Sequence, residues 1–122
     1  MLKQSANSNF TFRWILQASL GILLVLLLAV HLIVNHWVAP HGLLTYSDVI
    51  HYYDHPGIVW MEASFLIVVT VHCLLGIHAI IYDLDLSSRV TYFITRVVIL
   101  VGAVAILYGL WLIGTIHSLS VP

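Results

Sequence analysis

Charge is what this sequence has least of. Four Lys or Arg and five Asp or Glu make up 7% of its 122 residues, and 61% are hydrophobic. A soluble domain carries about 25% charged residues. The shortage excludes an ordinary soluble fold and points to an integral membrane protein. A net charge of −1 leaves no electrostatic footprint for nucleic acid. Cysteine is scarcer still. Cys73 stands alone in an apolar stretch, which excludes a disulfide within the chain and a C-x-x-C-H attachment motif. Residues 1–11 are polar and short, unlike a cleavable signal peptide, and no lipidation motif is visible.

What the chain has in abundance is long apolar runs. Three are near the ~20 residues needed to span a bilayer: helix 1 over about 14–37, helix 2 over about 58–82 and helix 3 over about 92–116. Trp14, Trp37, Trp60, Tyr82, Tyr92 and Trp111 fall near their ends, where interfacial aromatics sit. Pro40 closes the first run and Pro56-Gly57 precedes the second. The outer loop over 38–57 has room for a short surface helix over 46–53, and 85–89 is a tight connection. Lys3 and Arg13 precede helix 1, Arg89 and Arg96 flank the start of helix 3, and the outer loop has no Lys or Arg. The positive-inside rule then puts the N-terminus in the cytoplasm and the C-terminus outside the plasma (cell inner) membrane.

The expected fold class is all-α integral membrane, a single membrane domain over 1–122. Three spans with polar residues facing inward rarely complete a bundle, so the three transmembrane helices are expected to form half of a two-subunit bundle in membrane lipid. Gly102, Ala105 and Gly109 form a small-residue stripe on helix 3 that lets helices approach closely. It packs either within this chain or against a second subunit.

Two histidines stand inside these runs, His31 after 21–30 and His72 after 65–71. An imidazole in hydrocarbon is costly without a partner, and a metal or haem iron is one such partner. With no attachment motif, any haem is held non-covalently. A hydrogen bond across helices is the plainer alternative. On the helical wheel Gly76 and Asp83 lie within about 40° of His72, and Gly76 leaves a gap one turn away for a macrocycle or a helix. His72 lies ~16 Å from Asp83 along its helix and His31 lies ~27 Å from Arg13, so their heights differ by roughly 10 Å. Two haems at two depths fit better than one shared through helix tilt. Neither histidine finds its second axial ligand in this chain at a suitable depth, which predicts a partner.

The pattern His72-x3-Gly76-x-His78-x4-Asp83 resembles helix 2 of the small, D-like, cytochrome b-type membrane anchor subunits of succinate dehydrogenase and fumarate reductase. There the pattern is typically His-x3-Gly-x-Arg-x4-Asp, so His78 stands where the family has Arg. Gly21-x9-His31 is similar to the first helix of two-haem anchors, although their Arg before the glycine is absent and Arg13 is the nearest cation. The resemblance implies haem b on His72 near the cytoplasm and a second haem on His31, both shared with a second anchor subunit. It implies a haem pocket or propionate contacts from Gly76, His78 and Arg13; His36, close to His31, is a candidate for the propionates of the outer haem. The resemblance implies a quinone site (menaquinone or ubiquinone) near Tyr82 and Asp83, beside an iron–sulfur subunit that is fed by a flavoprotein subunit oxidising succinate. No catalytic residue is identifiable in this chain alone.

Other polar residues have plainer readings. His36, His41, His51 and His55 are interfacial, and His51 and His55 have the i, i+4 spacing of a metal pair. Glu62 is read as solvated at the outer interface, with proton exchange as the alternative, and His117 as exposed. Ser19 bonds its own helix or faces a quinone. Two rival functions remain open: a cytochrome b subunit of another quinone-linked oxidoreductase, and a haem-free structural or assembly subunit.

Overall fold

The computed structural model describes the backbone over residues 2–38 and 45–120 and the side chains over 11–37 and 45–120. Four helices make up the described chain: α1 (Leu2–Val38), α2 (Tyr46–Tyr52), α3 (Pro56–Asp83) and α4 (Ser88–Ser120). Three are long and apolar enough to cross a membrane, over Thr11–Trp37, Pro56–Asp83 and Ser88–Ser120. Pro40 and His41 lie outside the described residues.

Each long helix runs past the apolar stretch that marks it. α1 begins at Leu2 rather than near Trp14. No Pro or Gly interrupts the chain before Gly21, so nothing local stops the helix at the membrane boundary. Hydropathy bounds the span, whereas propensity and caps bound the helix. Thr45 and Asp48 form a capping box at α2: Thr45 Oγ1 accepts from the Asp48 amide, and the Thr45 amide donates to Asp48 Oδ2 at 2.8 Å. The Thr45 hydroxyl, which donates to Asp48 Oδ2 at 2.6 Å, and after it the Thr45 amide hold the Asp48 carboxyl below its ordinary range. Pro56 opens α3 at a position where its missing N–H costs nothing. After Asp83, Asp85 adopts the left-handed conformation, with φ of 45°, and turns the chain back into α4. Aspartate is one of the few non-glycine residues that visit it readily.

α3 packs against both α1 and α4, and α2 lies against α4. The His117 imidazole in the last turn of α4 donates from Nδ1 to the Tyr53 carbonyl at 2.7 Å. His117 is thus partly buried and bonded, which corrects its reading as exposed. On the α4 side, Leu74 fits over Gly102 and Leu66 over Gly109; a Cβ at either glycine would stand 2.7 or 2.5 Å from a leucine methyl. The glycines of the small-residue stripe therefore pack within the chain, while Ala105 is exposed. Among the described residues Tyr52 and Ile81 are the buried large apolar ones, and large apolar side chains cover the outside of the long helices. Helices apolar all round belong in lipid or against other helices.

Replacing Gly109 by Leu should force α3 and α4 apart. Overpacking of this kind costs about 1–3 kcal/mol. The variant is expected to unfold at a lower SDS mole fraction than the unmodified chain in mixed micelles, with Ala105→Leu much closer to the unmodified value.

Candidate functional site

The polar residues of the spans meet along the antiparallel seam of α1 and α3. Arg13 reaches His78 at one end, Gln17 lies over Gly76, His72 lies over Gly21, and His31 reaches Glu62 at the other end. From Gln17 onward each step along α1, of four and then ten residues, is matched by an equal step back along α3. Ten residues of α1 separate Gly21 from His31, about 15 Å of rise. His72 and His31 therefore sit at well-separated depths.

The central layers depend on two missing side chains. A Cβ on Gly21 would stand 3.1 Å from His72 Cε1, and one on Gly76 would stand 3.1 Å from Gln17 Nε2. The gap beside Gly76 is thus taken by α1 and its Gln17. His72 Nδ1 and Gln17 Oε1 are both enclosed and have no hydrogen-bond partner. Buried polar atoms without partners are rare and each needs a reason.

At the His31 end the bonding is complete. Glu62 Oε1 accepts from His31 Nδ1 at 2.9 Å and from the Tyr52 hydroxyl at 2.6 Å. Asn35 Nδ2 lies 3.2 Å from His31 Nε2 and donates to the His31 carbonyl at 2.8 Å. A neutral His31 with its proton on Nδ1 satisfies both contacts. Its ring stacks on Phe65 at 5.2 Å. The Glu62 side chain is 11% exposed, so it is a bonded group between helices, correcting its reading as solvated. His31 has the cross-helix hydrogen bond that was the plainer alternative for it. Burial raises the Tyr52 phenol well above its ordinary range, and the bond to Glu62 adds to this. Tyr53 is raised by burial and by the Glu62 charge.

At the opposite end, Arg13 Nη2 donates to His78 Nδ1 at 2.7 Å, and the His78 ring stacks on Tyr82 at 4.9 Å. His78 and Tyr82 open onto a groove of about 440 Å³ between the end of α3 and the start of α4. Asp85, Ser88, Thr91 and Tyr92 also line it.

The residues singled out from sequence are thus divided. His72, Gly76, His78 and Arg13 share the seam, and Tyr82 joins them through His78. Asp83 is exposed and is not among the groove's lining residues; Asp85 is the carboxylate there. Ser19 is exposed on α1, and His36 is exposed in its last turn. His51 and His55 are exposed, and among the described residues no group of three His, Cys, Asp or Glu could hold a metal ion. Sequence reasoning missed Gln17, Asn35, Tyr52 and Asp85. Gln17 had a signal, an amide inside an apolar run, and so did Asn35, four residues after His31. Tyr52 and Asp85 had none, since tertiary contacts bring them into place.

No family model matches the sequence. It is similar to two proteins named succinate dehydrogenase hydrophobic membrane anchor subunit. The one from Archaeoglobus fulgidus is 29% identical over 103 residues, covering 84% of this chain and 87% of that protein. The one from Thermoplasma acidophilum is 30% identical over 109 residues, covering 87% and 86%. No solved structure matches.

The raised Tyr52 phenol has a pH consequence. Its folded pKa exceeds the ordinary value of 10.0, so its contribution to holding α2 is intact below about pH 10 and fades as the phenol ionises above it. In an absorbance titration at 295 nm, the difference between the unmodified chain and Tyr52→Phe is expected to rise later than a free tyrosine. Tyr52→Phe should also free α2, seen as faster amide exchange over residues 46–52.

Proposed function

The chain belongs to the succinate dehydrogenase hydrophobic membrane anchor subunits, a family of multi-pass membrane proteins, and from that premise we propose that it holds haem b through His72 and serves electron transfer to a quinone. The observation that carries this reading is His72 itself. It lies within a span, its ring has a cradle at Gly21, and among the described residues no side chain bonds its enclosed Nδ1. An imidazole in an apolar span that no described side chain holds by a hydrogen bond fits a metal ligand, bound through its other nitrogen, better than a packing residue.

The chain's residues have distinct parts in this reading. His72 would hold the haem iron through a ring nitrogen, together with a residue of a second anchor subunit. Arg13 and His78 form a polar pair at the inner end, suited to the carboxylates of a haem edge. Haem, when bound, supplies a one-electron redox centre between its ligands. The inner groove takes the quinone head. His78 and Tyr82 stack to form its wall, and the Tyr82 hydroxyl and the Asp85 carboxyl offer hydrogen bonds to quinone oxygens. Reducing a quinone to a quinol consumes two electrons and two protons. Asp85 is an exposed carboxyl that can carry protons in from water. The electrons come from an iron–sulfur subunit, which receives them from a flavoprotein subunit where succinate is oxidised. The side that bears Arg13, Arg89 and Arg96 faces the cytoplasm.

A second haem on His31 is the second reading. The Glu62 carboxylate on Nδ1 is the kind of outer partner that orients a ligating histidine. Asn35 would have to release Nε2 for iron to take its place. The separation of about 15 Å between the Gly21 and His31 levels favours separate sites over one shared haem.

Reduced-minus-oxidised spectra of the purified complex test this. The unmodified complex is expected to show a b-type band, and His72→Ala should lose it or its inner component. An undiminished band in His72→Ala overturns the assignment, and no band in the unmodified complex leaves a haem-free anchor. Loss of a separate component in His31→Ala would mark a second haem.

A further inference from the structure

We propose that Gln17 is a positioning residue for His72: its carboxamide oxygen takes the His72 Nδ1 proton through one bridging water and leaves Nε2 bare for iron. The inference rests on the haem reading above and deepens it.

Proton accounting leads to this assignment. A neutral imidazole has one N–H and one lone pair. If Nε2 gives its lone pair to a metal, the proton stays on Nδ1. Here Nδ1 is the enclosed nitrogen, and it has no acceptor. A buried donor left unsatisfied is costly, so an acceptor belongs beside it.

The same seam holds an acceptor with the opposite deficit. Gln17 Oε1 is enclosed and accepts nothing. These two atoms are the unpartnered buried side-chain polar atoms among the described residues. The hydroxyl of Thr70, also on α3, is already committed to the Leu66 carbonyl.

The placement suits one water rather than a direct bond. Gln17 lies over Gly76, four residues from His72 on α3; His72 lies over Gly21, four residues from Gln17 on α1. The two groups are therefore offset by about one helical turn, ~5.4 Å. That span matches two consecutive hydrogen bonds through a water. Gly76 is what admits the carboxamide, since a Cβ there would crowd it. A hydrogen bond at Nδ1 makes the imidazole a stronger donor to a metal, as outer partners of ligating histidines do. A stronger donor favours the oxidised metal and lowers its potential.

The test uses the intact purified complex carrying Gln17→Leu or Gln17→Glu. Two quantities are read: the midpoint potential of the haem band, and the coupling of the remote imidazole nitrogen by pulsed EPR of the oxidised form. Gln17→Leu is expected to shift the potential upward and change the nitrogen coupling. Gln17→Glu keeps an acceptor and is expected to shift the potential downward. Loss of haem in Gln17→Leu with retention in Gln17→Glu also supports the proposal. Unchanged potential and coupling in Gln17→Leu overturn it, as does equal haem loss in both variants, which marks Gln17 as a packing residue. If the unmodified complex has no b-type band, the proposed function falls and this inference falls with it. A band that is present but indifferent to Gln17 overturns the inference alone.

Discussion

The close approach of α1 and α3 governs the rest of the structure. Each helix gives up a Cβ where the other brings a polar side chain: Gly21 for His72, and Gly76 for Gln17. In lipid there is little hydrophobic drive between helices, so close packing and polar contacts must do that work. The reciprocal exchange supplies both. It sets the antiparallel register, and that register brings Arg13 to His78 at one end and His31 to Glu62 at the other. The seam with α4 uses the same device with apolar knobs, Leu66 and Leu74 over Gly109 and Gly102. α3 is therefore the element on which both neighbours are fitted.

The two ends of the α1–α3 seam differ in chemistry because they differ in closure. At one end His31, Asn35, Tyr52 and Glu62 bond one another, and Glu62 is mostly shielded from solvent. A closed network of this kind fixes tautomers and orientations. At the other end the Arg13–His78 pair is exposed and borders an open groove. Between them the middle layer keeps two polar atoms without partners.

Much of this was legible in the sequence. The three spans are stated by hydropathy alone, because charge is almost absent from 14–37, 58–82 and 92–116. The face shared by His72 and Gly76 follows from helical periodicity. Periodicity does not reveal which neighbour faces a given stripe. The gap beside Gly76 was open to a macrocycle or to a helix, and only tertiary structure gives it to α1. Glu62 near a helix end reads as solvated until Tyr52 and His31 close over it. Asp85 shows no pattern in sequence, since its place depends on a left-handed turn that any short loop can adopt. The extension of α1 back to Leu2 was missed because apolar runs report the membrane and not the helix.

The near absence of a core among the described residues, where Tyr52 and Ile81 are the buried large apolar ones, has a thermodynamic meaning. Insertion of single helices and their later docking are separate stages in a bilayer. This chain completes the first stage alone, since each span closes its own backbone hydrogen bonds. Most of the second stage is left to surfaces that other molecules must provide. Its folding equilibrium is therefore largely an assembly equilibrium, and its apparent stability follows the supply of partners by mass action.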